Sequence, residues 1–322
     1  MTEQTSVLII DDSAQPYLPR LRDTVPGCVF HGCDAGEKVQ DALARVRPEI
    51  VFGLHCPTYP AFSHAVALGC DSVKWLHNGG AGIDHLPAWD PERITVTNSA
   101  GVSSRFMAET VTGAILMMNF RFPEYFAQQR AHVWEKLPWE SLSSKTVLVI
   151  GLGGIGTLVA QRLRTFGAYV IGARRSLRPC ADVDEQIAMA DLHDALPRAD
   201  YVCIHVPNTD ETQNLVDAAF LKRMKPTARL INTARGAQVD EAALVAALRA
   251  GQIAGAYLDV FRTEPLPAES SFWDLPGVVI SPHYADAAEG WKSASAAFFA
   301  ENLRRYMNGS PLQNMCDPAA GY

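Results

Sequence analysis

Three side chains able to manage charge and protons on a small anion stand at the ends of apolar runs: Arg235 in INTARG, Glu264 in LDVFRTEPLP and His283 in SPH. Each run is short and rich in β-branched or aromatic residues, so it reads as a buried strand of a parallel sheet. In an open α/β sheet the carboxyl ends of the strands face the ligand crevice. Singly, each residue has an ordinary reading: Arg235 as a surface ion-pair donor, Glu264 as a loop charge, His283 as a core histidine. Together they form an acid–base site for an anionic substrate. Negative charge that develops on an oxygen needs a cation to stabilise it and an acid to supply a proton near neutral pH. A histidine beside a carboxylate suits the second task, because the carboxylate favours the protonated ring.

GLGGIG, from Gly151 to Gly156, follows the strand-like TVLVI and precedes a helical pattern. In G-x-G-x-x-G the first glycine permits a tight turn, the second lets backbone approach a pyrophosphate, and the third packs helix against strand. Gly151, Gly153, Gly154, Ile155 and Gly156 are therefore the candidate dinucleotide cradle, with the anion at the helix N-terminus. The next strand, YVIGA, runs into Arg174, Arg175 and Ser176, and Arg174 falls 18 positions after Gly156. An acid near this place usually accepts from the ribose hydroxyls. A guanidinium fork would instead hold a 2′-phosphate, with Ser176 adding a hydroxyl donor. A solvated basic loop is the plain alternative, but the position favours NADP(H) over NAD(H).

The elements that must position these residues follow from the apolar pattern. SVLII, CVF, EIVFGLH and VKWLHN read as strands, separated by helical stretches such as GEKVQDALARVRP. A long helical pattern runs from Ser104 to about His132, bent near Pro123. A second series follows: KTVLVI, YVIGA, YVCIHV, RLINTA, AGAYLDV and VVISPH as strands, with IGTLVAQRLRTFG as a helix. VDEAALVAALRAG has Asp240 and Glu241 near its start and Gly251 at its end, as caps and the helix dipole favour. From Ala287 to Asn308 the pattern returns to helix. The expected fold is α/β, with two Rossmann-like or flavodoxin-like lobes built on parallel sheets and a ligand cleft between them. Residues 1–100, completed by 291–322, are the expected substrate domain, and residues 101–290 the dinucleotide-binding domain.

Composition narrows the partners. A net charge of -7 over 322 residues argues against nucleic acid or an anionic membrane, so a bound anion needs a local cationic site. The seven cysteines (Cys28, Cys33, Cys56, Cys70, Cys180, Cys203 and Cys316) are scattered without a CxxC pair, which reads as free thiols in a reducing, cytoplasmic setting. MTEQTSVLIIDD lacks the basic start of a signal peptide, and the longest apolar stretch is too short for a membrane span. His31, His55, His64 and His193 show no ligand-like spacing, so no metal is expected.

The ordered series NGGAGIDHLP, GLGGIG, HVPNTDETQNL, INTARG, LDVFRTEPLP and SPH resembles the D-2-hydroxyacid dehydrogenase family over nearly the whole chain. The arginine-bearing strand end, HVPNTDET and the Gly321–Tyr322 ending look most like its NADPH-dependent glyoxylate/hydroxypyruvate reductases. The resemblance implies that Arg235 binds the substrate carboxylate and polarises the keto oxygen, that His283 protonates that oxygen, and that Glu264 holds the imidazole. It implies that backbone N–H groups around Gly79, Gly80 and Ala81 hold the carboxylate, and that Asp259 meets the nicotinamide carboxamide. Pro207, Thr212, Thr233 and Ala234 would line the cofactor. It implies a homodimer paired through the helix after Ser104 and the Trp134 loop. Two places depart from the family pattern: HYADAAEGW, with Tyr284 and Asp286, where small residues are usual, and Gly79, which would loosen the carboxylate turn. Asp286 would disfavour a second anionic group on the substrate, or would instead cap the helix beginning near Ala287. A dinucleotide-sensing binding protein on the same fold, or a dehydrogenase of another small anion such as phosphite or phosphoglycerate, is the alternative reading.

Overall fold

Runs of β-branched residues covered on both faces build two wholly parallel sheets, each wrapped by the helices that connect its strands. The computed structural model describes residues 4–11, 18–33, 37–54, 62–176 and 178–319. His55, Cys56 and the Gly321–Tyr322 ending lie outside the described residues. The chain forms two compact units, Met1–Ser103 with Glu289–Tyr322, and Ser104–Ala288.

In the first unit, β1 (Thr5–Ile10), β2 (Cys28–Cys33), β3 (Ile50–Gly53), β4 (Trp75–Asn78) and β5 (Thr95–Asn98) alternate with α1 (Leu18–Thr24), α2 (Val39–Val46) and α3 (Phe62–Leu68). The sheet order is β2-β1-β3-β4-β5. All of β3 and β4 is buried; in β4 the polar His77 is accommodated by hydrogen bonds to Thr97 at 2.6 Å and Ser99 at 3.1 Å. The C-terminal helix, Trp291–Met307, covers one face of this sheet. Its Phe299 stacks on Phe52 with ring centroids 4.5 Å apart, beside the fully buried Trp75.

The second unit opens with α4 (Ser104–Asn119) and α5 (Phe122–Ala131). The expected bend falls at Arg121, whose φ of 62° breaks the ladder, and Pro123 sits in the first turn of α5, where its missing N–H costs nothing. Then follow β6 (Thr146–Ile150), α6 (Gly154–Thr165), β7 (Tyr169–Arg174), β8 (Glu185–Ala188), α7 (Leu192–Ala195), β9 (Tyr201–Ile204), α8 (Ala218–Arg223), β10 (Arg229–Asn232), α9 (Glu241–Arg249), β11 (Gly255–Leu258) and β12 (Val278–Ile280). The order is β12-β11-β10-β9-β6-β7-β8, so the strand order reverses between β6 and β9. Ligands bind at such a switch point. Asp240 caps α9 by accepting the Ala243 amide at 3.0 Å, as its place in the sequence implies.

The closing helix α10 runs Trp291–Met307, not from Ala287. Residues 284–288 are drawn into a loop instead, because Asp259 captures the amides of Tyr284 and Ala285.

Candidate active site

The glycine turn carries out three separate tasks. Gly151 has a φ of 99°, and a Cβ there would stand 2.5 Å from the His205 carbonyl oxygen on the neighbouring strand end. A Cβ on Gly156 would fall 1.9 Å from the Gly151 carbonyl, so only glycine lets α6 sit this close to the turn. At Gly153 no heavy atom lies within 4 Å of the Cβ position, and this residue opens α6 without a side-chain cap. The first N–H groups of a helix have no intrahelical partner, and at the start of α6 the exposed Gly153 and Gly154 leave the approach that a pyrophosphate requires. Across the switch point, buried polar atoms lack partners among the described residues: Asn208 Oδ1, Thr233 Oγ1 and both ring nitrogens of His205. Burial pushes the His205 ring down to about 4, so it stays neutral at physiological pH. Open backbone donors beside orphaned polar side chains fit a dinucleotide.

Arg174 is the last residue of β7, with Arg175 and Ser176 exposed just beyond it. Arg174 donates from Nη1 to the Arg178 carbonyl at 3.3 Å, and Arg175 lies 3.8 Å from Glu211. Thr212 donates to the Pro207 carbonyl at 2.7 Å and accepts the Thr209 amide at 2.8 Å, so its hydroxyl shapes the loop after β9.

Arg235 follows β10 in a turn held from two sides. Asn232 donates to the Arg235 carbonyl at 2.9 Å and accepts the Ala234 amide at 3.1 Å. Gln238 accepts the Arg235 amide at 3.2 Å and donates to the carbonyls of Val206 and Pro207 at 2.7 and 3.0 Å. Gln238 thus ties the loops after β9 and β10 together. Both amide side chains are fully buried. Gln238 falls in no motif, and Asn232, inside INTARG, looks in sequence like any polar residue at the end of an apolar run.

His283 follows β12 with a φ of 49°, a left-handed backbone uncommon outside glycine. Its amide donates to the Asp259 carbonyl at 2.8 Å. The Asp259 carboxylate, 1% exposed, accepts from Ser281 Oγ at 2.5 Å and from the Tyr284 and Ala285 amides at 2.9 and 3.0 Å. Tyr257 and Ser281 share a further hydrogen bond of 2.7 Å. Asp259 therefore clamps the loop that carries the histidine, and sequence reasoning missed the Ser281–Tyr257 support behind it. His283 Nδ1 meets Glu264 Oε2 at 2.7 Å, while Glu264 Oε1 accepts the Phe261 amide at 2.9 Å. The hydrogen bond to Glu264 raises the imidazole above its usual value, against burial and the Arg235 charge. Burial alone would raise Glu264; the bond from His283, the Phe261 amide and the charges of His283 and Arg235 outweigh it and hold the carboxyl low. The triad residues Arg235, Glu264 and His283 are thus brought together at adjacent strand ends.

Two expectations are corrected. Asp286 does not cap the tail helix, whose N-cap is Gly290. Gly79 does not loosen its turn: a Cβ there would stand 2.4 Å from Leu54, and its N–H is already given to the Gly53 carbonyl at 2.7 Å. That leaves the amides of Gly80 and Ala81 as the donors without a partner among the described residues. The turn is rigid, since Asn78 donates to the Gly80 and Gly82 carbonyls at 3.0 and 2.9 Å and Asn98 to that of Ala81 at 2.7 Å.

A model of the D-isomer specific 2-hydroxyacid dehydrogenase NAD binding domain matches residues 112–285. The D-3-phosphoglycerate dehydrogenase of Mycobacterium tuberculosis is 34% identical over 319 residues, 98% of this chain but 59% of that one. The chain thus spans little more than half the length of these relatives. The glyoxylate reductase of Thermofilum pendens is 33% identical over 305 residues, 92% of this chain and 89% of its own. Among solved structures, a D-isomer specific 2-hydroxyacid dehydrogenase from Xanthobacter autotrophicus in complex with NADPH and MES superposes with a TM-score of 0.84 at 30% identity, covering 99% of this chain and 100% of the other. The NADPH-dependent glyoxylate/hydroxypyruvate reductase of Sinorhizobium meliloti, in complex with NADP and sulfate, gives 0.82 at 26% identity over the same shares.

Proposed function

The chain belongs to the D-isomer specific 2-hydroxyacid dehydrogenase family, and from that premise we propose that it reduces a small 2-keto acid of the glyoxylate/hydroxypyruvate class to the D-2-hydroxy acid with NADPH. The observation that carries this reading is the 2.7 Å hydrogen bond between His283 and Glu264 beside Arg235. When bound, the nicotinamide supplies the hydride. Arg235 holds the substrate carboxylate and stabilises the charge that develops on the keto oxygen. His283, anchored through Nδ1, gives the proton from Nε2 to that oxygen, and Glu264 keeps the ring protonated and oriented. Within the first unit, the open N–H groups of Gly80 and Ala81 are proposed as donors to an anion.

For the cofactor, the opening turn of α6 receives the pyrophosphate. Arg174, Arg175 and Ser176 receive the 2′-phosphate, and Pro207, Thr233 and Ala234 line the ring side. A carboxylate has about four acceptor sites; three of those on Asp259 are taken by its own loop. The remaining one, on Oδ2, is proposed for the nicotinamide carboxamide. Phe122, Phe126, Trp134 and Trp139 are exposed, with Trp134 at 98%, and are proposed as the homodimer surface. The thiols of Cys28, Cys70, Cys180, Cys203 and Cys316, none in a disulfide, suit a cytoplasmic setting. No helix among the described residues is long and apolar enough to cross a membrane.

Steady-state oxidation of NADPH and of NADH with glyoxylate and hydroxypyruvate tests the proposal. Turnover with NADPH well above that with NADH is expected; no turnover of either acid with either cofactor overturns it.

A further inference from the structure

Behind the Gly79–Gly80–Ala81 turn, and within the first unit, five buried side chains form one line of hydrogen bonds. Trp75 Nε1 donates to Thr97 Oγ1 at 2.8 Å, and Thr97 Oγ1 lies 2.6 Å from His77 Nδ1. His77 Nε2 lies 3.1 Å from Ser99 Oγ, which is 2.8 Å from Ser295 Oγ on α10. Ser295 Oγ in turn donates to the Gly79 carbonyl at 3.0 Å. All five side chains are buried. The two ends fix the direction of the whole line, because an indole only donates, a carbonyl only accepts, and a hydroxyl has a single proton. Ser295 gives its proton to Gly79, so it accepts from Ser99. Ser99 then accepts from His77 Nε2–H, and Nδ1 of the neutral ring accepts from Thr97. Burial pushes the His77 ring down to about 3, which keeps it neutral.

The last bond in the line acts on a peptide plane. In a trans peptide the C=O and N–H point to opposite sides, so the hydroxyl that holds the Gly79 carbonyl also sets the direction of Gly80 N–H. With glycine on both sides, that plane turns over at little cost unless something holds it. The next plane is held in the same way. The Gly80 carbonyl accepts from Asn78 Nδ2 and from the Ser99 amide, both at 3.0 Å, which aims Ala81 N–H. Resting on the reading of this turn as the anion site of a reductase, we propose that Ser295 is a positioning residue whose hydroxyl, backed by the Trp75–Thr97–His77–Ser99 line, aims the Gly80 N–H at the substrate carboxylate. A helix 216 residues further along the chain thus contributes to substrate affinity through a buried side chain.

The test compares the unmodified protein with Ser295→Ala, which removes the donor, and Ser99→Ala, which cuts the line one step behind it. Two affinities are read: KM for glyoxylate, and Kd for oxamate, an anion of keto-acid shape that takes no hydride, by calorimetry on the NADPH-bound protein. In Ser295→Ala both should rise about tenfold, the effect of misaiming one hydrogen bond to a charged group. Ser99→Ala should raise them less. In both variants kcat and the Kd for NADPH should stay within about twofold, since the lost interaction serves ground and transition states alike. A lowered Tm with native KM and native oxamate Kd makes the line structural only and overturns the proposal. If Ser295→Ala does not fold, Ser99→Ala decides, and an unmoved KM and Kd there overturn it. Absence of turnover in the unmodified protein, with oxamate binding that Ser295→Ala weakens, overturns the reductase reading and leaves Ser295 in its role. Absence of both turnover and oxamate binding overturns both.

Discussion

His283 Nδ1 lies 2.7 Å from Glu264 Oε2, and the other oxygen of that carboxylate takes the Phe261 amide at 2.9 Å. The carboxylate thus joins ring and backbone, and the ring cannot turn without losing a charge-assisted bond. Nε2 stays outside that bond, as the proposed proton donor.

Glu264→Gln removes the first cause of the raised His283 value, so the falling alkaline limb of kcat/KM for keto-acid reduction should move to lower pH. An unmoved pH–rate profile would show that Glu264 does not govern the donor.

The same pair ties stability to pH, in two directions. His283 is raised in the folded protein, so its contribution is complete below the unfolded value of about 6.5 and fades as pH rises through the folded value. Glu264 is lowered, so its contribution holds above about 4.3 and fades as pH falls through the folded value. The difference in Tm between the unmodified protein and Glu264→Gln should peak between those limits; melts that differ equally at all pH values would refute the linkage.

His283→Asn should cut kcat by about 10²–10⁴, the range expected for loss of a general acid. Its Kd for NADPH, followed by nucleotide fluorescence, should change little. Loss of cofactor binding in parallel would place His283 in the nucleotide site instead.

Arg174→Asp combined with Arg175→Ala should move the NADPH-to-NADH ratio of kcat/KM toward NADH by about tenfold or more, a factor set by charge-assisted hydrogen bonds that are partly screened at this exposed strand end. Equal use of the two cofactors by the unmodified protein would dispose of the 2′-phosphate assignment.

Gln238→Leu leaves the Arg235 amide and the Val206 and Pro207 carbonyls without their partner, at a cost of about 1–3 kcal/mol per buried polar group that finds no replacement. Tm should fall, and KM for the keto acid should rise more than kcat drops, because Arg235 loses its place while the proton donor does not. A variant with lowered Tm and native KM would make Gln238 structural only.

The parts of this molecule legible in sequence are those written as period and punctuation. The strands β6, β7, β9, β10, β11 and β12 announce themselves because they are apolar on both faces, and the glycine turn because its three positions have steric jobs that glycine alone can do. The edge strand β8, Glu185–Ala188, is half-exposed along its length and has no such run to read. The site is legible at its charged tips, Arg235, Glu264 and His283, and not in its supports. Gln238 and Ser281 act through hydrogen bonds to segments distant in sequence, and nothing in local composition encodes a partner that the fold alone supplies. Asp286 shows the same limit, since a carboxylate before an apolar helical pattern looks like a cap until the helix is seen to start later.

A residue other than glycine in the left-handed region costs about 1–2 kcal/mol. Of the described non-glycine residues with positive φ, Arg47, Arg121 and His132 lie at helix ends, and Asn214, Asn314 and His283 are of types enriched there. His283 stands apart, at a strand end, held there by Asp259 and the Ser281–Tyr257 pair. On warming, that loop can relax toward ordinary backbone while both sheets are still intact. Heat should therefore silence the proposed activity, reversibly, before it melts the fold.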